Sequence, residues 1–144
     1  MNIPASSIQH TNFSINCSGR LVDLNTPKIM GILNLTPDSF SDGGKFNNEK
    51  SALLHAEKLL KDGADFIDIG AQSTRPNAEF LSAEEEIRRI GNVISLIKKE
   101  FPEALISIDT FYADVVKFGY NEGMDVVNDI SGGYFDENLL PTVA

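Results

Sequence analysis

The chain has 144 residues, 42% of them hydrophobic and 23% charged, which is the composition of one globular domain and not of a disordered segment. Its formal net charge of -9 opposes general attraction to nucleic acid or anionic lipid, because both need clustered Lys and Arg. A single cysteine, Cys17, permits no internal disulfide, MNIPASSIQH lacks the basic start and apolar run of a secretory signal, and no apolar stretch approaches the roughly 20 residues of a membrane span; a soluble, cytoplasmic protein is expected.

Residues 1–12 are polar and without pattern and are expected to be irregular. SINCSGRLVDL then reads as two short alternating runs around Ser18-Gly19, a hairpin that serves as a lid or plug. A rhythm of short apolar strand, polar loop and helical stretch follows four times. The strands are KIMGILN, DFIDIG, LISID and DVVND. The first helix, Asn48 to Asp62, aligns Ala52, Leu53, Ala56, Leu59 and Leu60 on one face and stops at Gly63. The second opens with a capping box, Ser82-Ala83-Glu84-Glu85, and runs through Ile87, Ile90, Val93, Ile94 and Ile97 to Pro102, with Arg88, Lys98 and Lys99 on its polar face. The third spans about Tyr112 to Glu122 before Gly123, and Asp136 to Leu140 begins a fourth.

Apolar strands alternating with helices define an α/β class with parallel strands covered by helices. Four such units form either a small open sheet or half of an eight-stranded barrel, which needs about 250 residues. The helix start at Asp136 with no strand after it favours the half-barrel.

Polar residues gather where each strand ends: Asn34, Ser73 to Arg75, Asp109, then Asn128 with Asp129. In parallel α/β folds this is the ligand side. The loop TPDSFSDGGKF carries Asp38, Asp42, hydroxyls and the aromatic Phe40, and reads as a polar lid or as a long turn shaped by Gly43 and Gly44. GAQSTRPNA sets Thr74 and Arg75 beside the stiff Pro76, either a phosphate-reaching guanidinium or an exposed loop residue. Asp109 reads as a ligand-binding carboxylate or as an N-cap of the third helix. Asp129 is read as structural, and Gly132-Gly133 as places of close backbone approach. His10, in the polar tail, and His55, on the first helix, suggest no catalytic triad; Cys17, lacking a basic neighbour, is a packing residue.

GILNLTPDSFSDGG at Gly31 to Gly44 and STRP at Ser73 to Pro76 resemble the dihydropteroate synthases, and the likeness runs from the hairpin near Ser14 to Ala144. It implies a (β/α)8 TIM barrel of which residues 1–144 are the N-terminal half, the hairpin and about four β/α units. It implies condensation of 6-hydroxymethyl-7,8-dihydropterin diphosphate with 4-aminobenzoate to dihydropteroate and pyrophosphate, a transferase step of folate biosynthesis and the target class of sulfonamides. By resemblance, Asn34 binds Mg²⁺, Ser73 and Thr74 contact the pterin diphosphate, Arg75 closes over the reacting groups, Asp109 and Asn128 hold the pterin, and Phe40 and Pro76 wall the aminobenzoate site. Asp109 and Arg75 take the catalytic roles. The family often has Gly-Gly-Glu-Ser before the Thr, and Gly after the Pro; here Gly70-Ala71-Gln72-Ser73 and Asn77 depart from that.

The resemblance also implies a homodimer for the complete protein. Its remaining polar groups, a further Asp, a Lys and an Arg-x-His, belong to the other barrel half, so these residues alone are expected to be poorly folded or aggregation-prone and without turnover. Two alternatives stand: a non-catalytic pterin-binding half-barrel completed by another chain, or a pterin-dependent methyltransferase domain. TPDSFSDGG and STRP argue against the methyltransferase, whose methyl donor carries no diphosphate.

Overall fold

The computed structural model describes residues 13–36, 45–72 and 80–144, with the backbone alone for residues 45–47. It opens with the expected hairpin, β1 (Ser14–Cys17) against β2 (Arg20–Asp23). Ser18 at φ 51 and Gly19 at φ 89 supply the two positive angles that a tight two-residue turn needs, and Asn16 Oδ1 accepts the Gly19 N–H at 2.8 Å.

The other strands, β3 (Met30–Asn34), β4 (Phe66–Gly70), β5 (Leu105–Asp109) and β6 (Val126–Asn128), form one parallel sheet in chain order. Residues of one parity face the helices: Leu33, Ile67, Ile69, Ile106 and Ile108 are all 0% exposed and meet Ala52, Ala56, Ile94, Ile97 and Val115 in the main core. Burying each of these Leu and Ile side chains contributes roughly 1.5–3 kcal/mol, which fixes the register, because a one-residue slip would turn them all to the other face. The opposite parity forms an inner face. At its N-terminal end Phe66 and Leu105, with Val126 beside them, pack against Cys17 and Val22, so the hairpin plugs that end.

The four helical stretches expected are present, as five helices among the described residues. α1 (Lys45–Lys61) begins three residues earlier than expected, and Gly63, two residues past its end, turns the chain at φ 103. The stretch expected as one helix to Pro102 is two, α2 (Ala83–Ile90) and α3 (Val93–Glu100). Gly91 breaks it, at φ 49 with its N–H on Ile87 O, and the apolar spacing continues across the break and conceals it. Only the forward half of the capping box forms: Ser82 Oγ accepts from Glu85 N at 3.3 Å, whereas the Glu85 side chain turns to Arg88 and Arg89. α4 (Ala113–Glu122) ends on left-handed Gly123, and α5 (Leu139–Val143) is the short fourth helix.

β6 is shorter than DVVND by its two flanking acids, although Asp125 N still donates to Ile106 O at 2.8 Å. Asp125 Oδ2 accepts from Ile106 N at 2.9 Å and from Lys98 Nζ at 2.6 Å, which also removes Lys98 from the solvated face assigned to it. Among the described residues β3 and β6 are the sheet edges, and Met30 and Ile32 stand 40% and 60% exposed on β3. No described helix is long and apolar enough to cross a membrane.

Candidate functional site

Parallel register sets Asn34, Gly70, Asp109 and Asn128 in one row across the C-terminal end of the inner face. Asn34, assigned from the sequence to metal, and Asp109 and Asn128, assigned to the pterin, thus meet although 94 positions separate Asn34 from Asn128. Gly70 is the gap between them: a Cβ there would lie 3.5 Å from Asn34 Oδ1 and 3.7 Å from both Asp109 Cβ and Oδ2. Its missing side chain keeps a slot over which the Asn34 amide and the Asp109 carboxylate converge.

Asp109 is half-buried, and its carboxyl is pushed above the usual range by desolvation first, then by the negative charges of Asp68 and Asp129. Such a carboxylate takes donors from a bound ligand readily. The alternative role as helix cap is not the one it plays. Ala113 N donates to Asp136 Oδ2 at 2.8 Å and Tyr112 N to Thr110 Oγ1 at 3.2 Å, so other side chains serve the start of α4.

One layer deeper lies a residue that the sequence reading passed over. Asp68, on β4, is 6% exposed and accepts from Asn128 Nδ2 at 3.0 Å across the intervening β5. Among the described residues its other oxygen, Oδ1, has no hydrogen-bond partner, and neither has Oγ of Ser107, its neighbour in register. The signal was present: DFIDIG places a lone acid at inward parity in a strand otherwise apolar, and such an acid is costly unless it bonds something.

Asp129 is structural as expected: against desolvation, which raises its carboxyl, the bonds it accepts from Gly133 N, Ser131 N at 2.8 Å and Ser131 Oγ at 3.0 Å together hold it below the usual range. Gly133 does permit close approach, since a Cβ there would sit 2.7 Å from Leu140 Cγ. Gly132 has open space around it and serves only its positive φ of 62. Cys17 is buried in the hairpin cluster, and His55 is exposed on α1, away from the inner face.

Phe40, Ser73, Thr74, Arg75 and Pro76 lie outside the described residues. The base of the second loop is described, and it is a buried network. Gln72 Oε1 accepts from Leu81 N at 3.0 Å, and its Nε2 donates to Glu86, a carboxylate with 0% exposure on α2. The second oxygen of Glu86 accepts from Thr110 Oγ1 at 2.7 Å, next to Asp109. Burial raises the Glu86 carboxyl above its usual range, while the bonds from Thr110 and Gln72 pull the other way. Arg89 adds a bond to Ala71 O at 3.1 Å. Gln72 and Leu81, the described residues on either side of 73–79, are therefore tied through Glu86 to Thr110 at the strand end that carries Asp109.

Above this base Phe80, Phe111 and Phe135 cluster with ring centroids 5.0–5.7 Å apart, an aromatic rim missed because its members are scattered in sequence.

Residues 30–144 match the sequence model of a family described as pterin binding enzyme. The chain is 48% identical over 122 residues to a mitochondrial folate synthesis bifunctional protein of Arabidopsis thaliana, covering 83% of this chain and 22% of that protein. It is 44% identical over 126 residues to a Streptococcus pyogenes dihydropteroate synthase, covering 88% of this chain and 47% of that one. The solved Xanthomonas albilineans dihydropteroate synthase with 4-aminobenzoic acid superposes with a TM-score of 0.81 at 38% identity, covering 90% of this chain and 48% of that one. The chain thus spans about half the length of the single-function relatives it matches.

Proposed function

The chain belongs to the family of pterin-binding enzymes, and from that membership we propose that it supplies the pterin-binding half of a dihydropteroate synthase barrel. The observation that carries the proposal is the row of Asn34, Gly70, Asp109 and Asn128 at the C-terminal end of the inner face. A pterin ring offers adjacent N–H donors on one edge. A half-buried carboxylate accepts two of them, and an amide beside it both accepts and donates.

In the proposed reaction the arylamine lone pair of 4-aminobenzoate forms a C–N bond to the pterin methylene carbon. The C–O bond to the diphosphate breaks with its electron pair, pyrophosphate leaves, and the amine proton is released. Asp109 orients the pterin, and its negative charge favours the positive charge that builds on the ring as the methylene carbon ionises. Arg75, Ser73 and Thr74 are assigned to the diphosphate, with Phe40 and Pro76 around the arylamine, the subsite at which sulfonamides are expected to compete.

Asn34 suits Mg²⁺: its neutral amide oxygen lies on the ligand side of the sheet, and the described residues hold no cluster of three His, Cys, Asp or Glu that would cage the ion. Mg²⁺ keeps most of its shell as water and phosphate oxygen, and when bound it would neutralise charge on the leaving diphosphate. A reducing compartment such as the cytoplasm fits the lone buried thiol of Cys17. The complete enzyme is proposed to be a homodimer, and no turnover is expected from these residues alone.

The test is isothermal titration of the chain, shown folded by circular dichroism, with the pterin diphosphate and Mg²⁺ beside an Asp109→Ala control. Binding that is lost in the control supports the proposal. A folded chain that binds nothing would overturn it.

A further inference from the structure

A pocket that reads one edge of a planar heterocycle depends on which way each amide is turned, because the oxygen and nitrogen of an Asn ask for opposite partners. The amide of Asn128 is not free to choose. A carboxylate offers only acceptors, so the Asn128 group that faces Asp68 must be its NH₂, and Nδ2 does lie 3.0 Å from Asp68 Oδ2. The bond joins residues two strands apart, over Ser107 on β5, and is therefore no consequence of the strand ladder. Among the described residues it leaves Asn128 with its carbonyl oxygen and one N–H uncommitted.

We propose that Asp68 is a positioning residue of the pocket: it locks the Asn128 amide so that its carbonyl oxygen joins the Asp109 carboxylate in an accepting edge, which selects heterocycles that present adjacent N–H donors. The proposal rests on the pterin reading of the site and deepens it. Three observations support it. Asp68 is a buried acid in an otherwise apolar strand, where it is costly to keep without a task. Among the described residues its Oδ1 and the Oγ of Ser107, adjacent in register, are both buried and unpartnered, so the deeper layer of the inner face accepts further polar contact instead of being filled by apolar packing. And its charge helps to hold the Asp109 carboxyl above the usual range, after burial and together with Asp129, so that one residue acts on both members of the accepting edge.

The roles of orientation and charge separate in two variants of the 144-residue chain. Asp68→Ala removes both. Asp68→Asn keeps an oxygen that can accept the same bond and removes the charge. The first readout needs no ligand: the Asn128 side-chain NH₂ resonances, followed by NMR for shift and exchange with solvent. The second is affinity for 6-hydroxymethyl-7,8-dihydropterin by titration calorimetry.

In Asp68→Ala the NH₂ signals are expected to move to positions typical of free amides and the affinity to fall about tenfold, the cost of one misaligned buried hydrogen bond. In Asp68→Asn the signals are expected to stay in place and the affinity to remain within about threefold. Unchanged signals or affinity in a folded Asp68→Ala chain would overturn the proposal. So would a tenfold loss in Asp68→Asn with the amide unmoved, because Asp68 would then act through its charge. If Asp68→Ala fails to fold, the Asp68→Asn arm decides alone. Should the parent chain bind no pterin, the reading of the site falls, and the amide signals still decide whether Asp68 holds Asn128.

Discussion

The two ends of the inner face are built from the same strands and have opposite chemistry. At the N-terminal end Phe66 and Leu105 are 4% and 6% exposed beneath Cys17 and Val22 of the hairpin, a small dry cluster with Val126 at its margin. About four residues further along the same strands stand Gly70, Asp109 and Asn128, with Asn34 beside them. The comparison shows how such a sheet separates tasks: one end is sealed by a local hairpin and contributes stability, so the other can hold a half-buried carboxylate above acids that repel it. The two ends should respond to mutation in different currencies.

Phe66→Ala gives the largest expected effect. It removes a buried ring from the sealed end and should cost about 3–5 kcal/mol in urea unfolding. Pterin affinity of the molecules that remain folded should be unchanged; a parallel loss of affinity would mean that the ends are not independent.

Asp109→Ala should do the reverse, lowering pterin affinity roughly hundredfold, as expected for losing two hydrogen bonds to a charged acceptor. Its unfolding midpoint should stay level or rise, since the side chain removed is a desolvated carboxyl near two other acids. Asp109→Asn sharpens the sign. A carboxyl whose folded pKa is raised contributes stability that is fully present below its unfolded value and is lost as pH rises through the folded one. The Asn variant should therefore gain on the parent as pH is raised from the acid range to neutrality, and an unchanged difference would show that Asp109 is not held above its usual range.

Gly70→Ala probes the slot itself. Nothing nearer than 3.5 Å opposes a Cβ there, so the variant should fold, yet it fills the space between Asn34 and Asp109 and should lower pterin affinity about tenfold. Unaltered affinity would mean that the ligand does not enter between those side chains.

Much of this division was readable in the sequence, and the reasons differ by element. The strands and the helix-facing parity followed from apolar runs such as LISID, because a strand buried on both faces leaves few other readings. Asn34, Asp109 and Asn128 were found by position at strand ends, and the sheet then placed them in one row. The break at Gly91 was hidden because Ile90 and Val93 keep helical spacing across it. Asp68 was lost inside an apolar run, and its bond to Asn128 spans 60 positions, a pairing that no local pattern announces. The choice of Asp136, not Asp109, to cap α4 likewise depends on a loop 23 residues away.

The network under the second loop is the feature least visible in sequence, and it yields the smallest and most conditional effect. Gln72 donates its amide nitrogen to the buried carboxylate of Glu86. Gln72→Glu would set one acid against another in a site with 0% exposure at Glu86. Two such carboxyls can share a single proton, which raises the pair above the usual range, so the variant should match the parent in the acid range and lose stability as pH rises. At neutral pH the loss should be about 1 kcal/mol, the size of one poorly matched buried hydrogen bond, since Oε1 can still accept from Leu81 N. Urea unfolding of variant and parent at acid and neutral pH measures it. A penalty equal at both would assign the loss to the missing Gln72 donor bonds instead of to charge, and the network would then be a matter of hydrogen-bond geometry alone.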